Sequence, residues 1–63
     1  MLNSKKNIKF RVYCKYEGEK TWTFLAMFVW RADAVEYARS KYFPPNEVKI
    51  IHSKKKVEHF HAS

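Results

Sequence analysis

Ile8-Lys9-Phe10-Arg11-Val12-Tyr13-Cys14-Lys15-Tyr16 sets Ile8, Phe10, Val12, Cys14 and Tyr16 in alternation with the cations Lys9, Arg11 and Lys15. Side chains of an extended chain point alternately to its two faces, so period two among β-formers predicts a strand with one face toward a core. Glu17-Gly18-Glu19-Lys20 follows and holds the only glycine of the chain. Glycine takes positive φ without a Cβ penalty, so a hairpin turn is expected there. Thr21-Trp22-Thr23-Phe24-Leu25-Ala26-Met27-Phe28-Val29-Trp30 then returns as a second strand. Its later half is apolar on both faces, so one face meets the core and the other is covered or used.

From Arg31 the period changes. Ala34, Val35, Ala38 and Tyr42 stack on one side of a helix, while Asp33, Glu36 and Ser40 point away. Asp33 in the first turn and Arg39 and Lys41 in the last suit the helix dipole. Pro44 and Pro45 stop the run after about three turns, because proline has no backbone donor and pushes its predecessor out of the helical region. Residues 47–52, with Val48, Ile50 and Ile51, read as a third strand. After Ser53-Lys54-Lys55-Lys56, the stretch Val57-Glu58-His59-Phe60-His61 offers a short fourth strand or a polar tail. The fold class is α+β: one small domain over 1–63, β-β-α-β with an optional last β. Its sheet is antiparallel or mixed and carries the helix on one face. Residues 1–6 form a basic arm, 7–52 the core and 53–63 the terminal strand or tail.

The hairpin register decides what the free face of the sheet carries. A two-residue Gly18-Glu19 loop sets Tyr13 opposite Phe24, Arg11 opposite Ala26 and Lys9 opposite Phe28. One face then holds Lys9, Arg11, Tyr13, Lys15, Trp22, Phe24 and Phe28, cations interleaved with aromatics. A three- or five-residue loop, or a bulge at Gly18, shifts the second strand by one position. Trp22, Phe24, Phe28 and Trp30 then join Phe10 and Val12 in the core. That register matches apolar to apolar more completely.

The 63 residues hold 13 Lys and Arg against six Asp and Glu, a net charge of +7, with 46% hydrophobic and 17% aromatic residues. A chain this short buries about 60% of its unfolded surface, which leaves room for one modest core and excludes a cofactor-binding domain. The lone Cys14 excludes a disulfide framework and reads as a small buried hydrophobe. The longest uncharged run, residues 21–30, is far below the roughly 20 residues that span a bilayer as a helix. No secretory signal is read at the N-terminus, and a cytoplasmic location is the expectation.

Charge is uneven along the chain. Residues 1–15 carry Lys5, Lys6, Lys9, Arg11 and Lys15 with no acid, and Lys54, Lys55 and Lys56 form a second block. The helix is nearly balanced. Such a field attracts polyanions, although a charge run also serves simply as a solvated surface. His59 and His61 fall on the same side of an extended strand, with His52 as a third metal ligand, and His52 or His59 with Glu58 and Lys54 or Lys55 is the barest outline of acid-base chemistry. These are common residues at ordinary spacings, and no phosphate loop, serine nucleophile motif or paired-cysteine knuckle accompanies them. We therefore expect no cofactor, no metal and no catalysis.

The expectation is a non-catalytic basic module that binds nucleic acid through Lys5, Lys6, Lys9, Arg11, Lys15, Lys54, Lys55 and Lys56, with Tyr13 and Trp22 as stacking residues. The alternative is an interaction module, an accessory subunit or inhibitor, docking on a protein through its apolar second strand or a sheet edge. An acidic protein surface is the corresponding partner, and a homodimer would cover exposed apolar surface.

Overall fold

The computed structural model describes residues 9–53 and 56–60. The elements are β1 (Phe10–Lys15), β2 (Thr23–Phe28), α1 (Arg31–Lys41), β3 (Glu47–His52) and β4 (Val57–Phe60). The α+β class and the β-β-α-β-β order expected from the sequence are present, with the optional last strand formed. The sheet is antiparallel throughout, in the order β2-β1-β3-β4. β2 and β3 both run against β1, so they are parallel to each other, and α1 carries the chain across β1 from one to the other.

The core lies between α1 and the sheet. It consists of Phe10, Val12 and Cys14 from β1, Val48 and Ile50 from β3, and Ala34 and Ala38 from α1. The alternation in β1 sends every second side chain inward, as its sequence dictates. Alanine at both buried helix positions lets the α1 backbone approach the sheet closely, while Val35, Tyr37 and Tyr42 close the sides. Fully burying a side chain such as Val12 or Ile50 stabilises by roughly 1.5–3 kcal/mol. Arg31, the first helical residue, donates through Nε and Nη2 to Glu58 Oε2 and Oε1 at 2.9 and 2.6 Å, tying the start of α1 to β4.

The first hairpin keeps the expected pairing of Tyr13 with Phe24 on the turn side and departs from it farther along, where Arg11 pairs with Met27 and not with Ala26. Its loop is seven residues long, 16–22, and not the two-residue Gly18-Glu19 connection or a three- or five-residue one. Within it Gly18 takes φ +84° and the Glu19 amide donates to the Tyr16 carbonyl at 3.0 Å, which is a turn that needs glycine at its third position. The Glu17 amide also donates to Asn46 Oδ1 at 3.0 Å, anchoring the loop to the segment before β3.

The irregularity lies inside the strand and not at Gly18. Tyr13 pairs with Phe24, yet Val12 pairs with Ala26, so Leu25 is an extra residue on β2. A bulge of this kind resets which face the following side chains take. Beyond it Met27 stands opposite Arg11 and Phe28 opposite Phe10. Phe24 and Phe28, which a regular strand would keep on one face, therefore separate: Phe24 faces away from α1 and Phe28 packs under it, 5.3 Å from Tyr37. The bulge brings Phe28 against the core while leaving Phe24 and Met27 half exposed on the other face.

Candidate nucleic-acid interface

Residues directly opposite in antiparallel strands share a face. The pairs Arg11 with Ile51, Tyr13 with Lys49, and Lys15 with Glu47 lie between the inward pairs of β1 and β3, and so occupy the face away from α1. On β4 His59 stands opposite Lys49 and Val57 opposite Ile51, on that same face. Lys9, one residue before β1, continues the alternation and is tied to Ser53, whose amide donates to the Lys9 carbonyl at 3.0 Å and whose Oγ accepts from the Lys9 amide at 3.3 Å.

Aromatic rings gather at one end of this open face. The Tyr13 and Phe24 rings meet edge to face at 5.6 Å. Trp22, the last residue of the loop, lies beside Lys15, whose Nζ is 5.0 Å from the indole centroid, and Lys49, whose Nζ is 4.3 Å away. Lys49 Nζ is also 5.9 Å from the Tyr13 ring. Each such interaction on an exposed ring is worth about 0.5–1 kcal/mol. Together they hold the indole down and keep two cations beside it.

Of the expected residues, Lys9, Arg11, Tyr13, Lys15 and Trp22 share the open face. Lys56 does not: it lines a cleft of about 510 Å³ at the start of α1 with Phe10, Arg31, His52, Val57 and Glu58. Alternation is the reason, since Val57 takes the open face and its predecessor must take the other. Lys5, Lys6, Lys54 and Lys55 lie outside the described residues. Sequence reasoning missed Lys49 and His59 as members of the face and did not single out Phe24 as a stacking residue. The signal for Lys49 was present in Val48-Lys49-Ile50, where two inward neighbours leave the lysine outward.

Among the described residues, no carboxylate forms an ion pair with Lys9, Arg11, Lys15 or Lys49. Glu47 is the acid placed on this face by β-pairing, opposite Lys15, so the open face keeps an excess of positive charge.

The histidines separate. His52 stands opposite Phe10 on the helix side, with ring centroids 4.6 Å apart, whereas His59 is on the open face. His52 therefore does not supply a third ligand beside His59, and His61 lies outside the described residues. Among the described residues no three His, Cys, Asp or Glu side chains gather as metal ligands. Glu58, the acid of the cleft, is held below the usual carboxylate range by its hydrogen bonds from Arg31, which makes it a poorer proton acceptor. Cys14 is 1% exposed, and burial pushes its thiol up. No helix among the described residues is long and apolar enough to cross a membrane.

No protein-family model, curated protein or solved structure matches this chain.

Proposed function

We propose that this protein is a non-catalytic module that binds nucleic acid on the open face of its sheet, in single-stranded form. The observation that carries the reading is the collection of Lys9, Arg11, Lys15 and Lys49 on the same face as Tyr13, Trp22 and Phe24. Unstacked bases stack on aromatic rings, and lysine and arginine follow the phosphates between them. Phe24 is 52% exposed and its ring lies beside that of Tyr13, so it offers aromatic surface to a base. At Trp22 a base would take the place of a lysine on the indole, and the released ammonium would remain within reach of the adjoining phosphate. A cytoplasmic setting belongs to this reading, since it keeps Cys14 reduced.

Titration of labelled single- and double-stranded oligonucleotides, followed by fluorescence anisotropy at low and high salt, tests the proposal. Single strands are expected to bind more tightly than duplex and to weaken steeply with salt. Absence of binding to either form at low salt would overturn it.

A second reading, docking on a protein, rests on a different observation. Phe24, Met27, Val29 and Trp30, all in or next to β2, are each about half exposed or more, from 47% to 69%. Apolar docking of that kind tolerates salt, so the same salt series separates the two readings.

A further inference from the structure

We propose that Trp22, Lys49 and His59 form one nucleotide subsite of the open face: a base stacks on Trp22, its phosphate lies between Lys49 and His59, and the strand binds with uptake of a proton by His59. This inference rests on the reading above and assigns one contact within it.

Three parts of the fold meet at this point. His59 is exposed on β4 and stands directly opposite Lys49 of β3. Its ring is 6.3 Å from the Trp22 indole, and Lys49 Nζ is 4.3 Å from the same indole. Directly opposed side chains of antiparallel strands have Cβ atoms about 4.5–5.5 Å apart, so one phosphate can accept from both. An indole that holds a base therefore has two nitrogen donors beside it for the adjoining phosphate.

Charge supplies the link to the proton. An imidazole gains its positive charge as the solution passes from about pH 8 to about pH 5. A protonated His59 opposite Lys49 sets like charges across the ladder, which by itself is unfavourable. An anion between them reverses that sign, so strand and proton each strengthen the binding of the other. The other charged groups around His59 add to this. Lys15 of β1 lies 5.0 Å from the Trp22 indole, and β2 brings no charged residue. On β3 the acid of this face is Glu47, two residues from Lys49 and opposite Lys15. On β4 itself the neighbour on this face is Val57, while Glu58 stands opposite the buried Ile50 on the helix side and accepts from Arg31.

Calorimetric titration of the full chain with oligothymidylate at low salt, in buffers of different ionisation enthalpy at about pH 6.5, counts the protons taken up on binding. Thymine does not titrate near neutral pH, so any uptake belongs to the protein. The wild type should take up a fraction of a proton and bind about two- to fivefold more tightly at about pH 5.5 than at about pH 7.5, the scale of one exposed ion pair. His59→Gln, checked by circular dichroism for retained fold, should lose both the uptake and the pH dependence, whereas His52→Gln, on the helix side, should keep them. In the wild type itself the His59 imidazole resonances should move on saturation. Binding without pH dependence, a dependence that survives in His59→Gln, or His59 resonances that stay in place would overturn this inference and leave the open-face reading standing. Absence of binding at either pH overturns both.

Discussion

The Trp22 indole and the His59 imidazole lie 6.3 Å apart, although they belong to opposite edges of the sheet. β1 and β3 run between β2 and β4, so a meeting of residues from the two edges requires the Trp22 side chain to reach across the open face. Lys15 and Lys49, projecting from the two central strands, lie beside the indole on that path. The loop of residues 16–22 makes this reach possible, because a two-residue turn would have placed Trp22 within a regular ladder.

Trp22→Ala should lower affinity for a single-stranded oligonucleotide by the equivalent of one stacked base, about 1–3 kcal/mol or roughly 5- to 150-fold. In a Trp30→Phe background, the remaining indole reports directly: its fluorescence should be quenched on binding. Unchanged emission at saturation would place the ligand elsewhere.

Lys9→Ala and Arg11→Ala should act through charge alone. Withdrawing one cation from its phosphate should reduce the slope of log affinity against log salt by about 0.7 for a single strand. Lys56→Ala, whose side chain lines the cleft at the start of α1, should leave the slope nearly unchanged. Equal effects from all three would show that only net charge matters.

Ile50→Ala, at a position 1% exposed, should cost about 2–5 kcal/mol, a large share of the stability of so small a domain. Met27→Ala, at a position 47% exposed, should change stability by less than about 0.5 kcal/mol. Urea denaturation of the two variants checks the contrast, and comparable losses would contradict the placement of the core.

Cys14 should resist thiol reagents in the folded chain at neutral pH. Its side chain is enclosed and burial holds its pKa above the ordinary value, so the reactive thiolate is scarce. Reaction should follow the unfolding curve in denaturant, measured as absorbance from a chromogenic disulfide. Rapid labelling without denaturant would show that β1 opens locally.

The Arg31–Glu58 pair gives stability a small acid dependence. Hydrogen bonding from Arg31 lowers the Glu58 pKa in the folded state, so the contribution is fully present above the unfolded value near 4.5 and is lost as pH falls through the lower folded value. Both partners are substantially exposed, which keeps the effect small. Glu58→Gln should lower the melting temperature slightly at neutral pH and bring it level with the wild type in acid. A difference that persists in acid would assign the loss to packing.

Strand β1, the helix after residue 30 and strand β3 are legible in the sequence because each follows a local periodicity that a few neighbouring residues impose. Phe10, Val12 and Cys14 alternate inward whatever they pair with, and Ala34 and Ala38 fall one turn apart on any helix. The outward placement of Lys9, Arg11, Tyr13 and Lys15 follows from the same alternation, so half of the described site is readable before any coordinates. β4 stays optional at that level because its polar residues carry little apolar signal of their own; Phe60 and the Glu58 pairing with Arg31 hold it only in the folded chain.

Residue type and spacing alone dictate the element order, the basic excess and the inward set of β1, since none of these depends on a distant part of the chain. Where the extra residue of β2 falls, and with it which aromatics the helix covers, is settled only when the strands pair. A bulge at Leu25 sends Phe28 to the core and leaves Phe24 outside. No local preference selects that position, because it is defined by how β2 pairs with β1. Lys49 beside Trp22 is likewise a meeting of residues 27 positions apart, brought together by pairing across β1 and β3 that no short stretch of chain can specify.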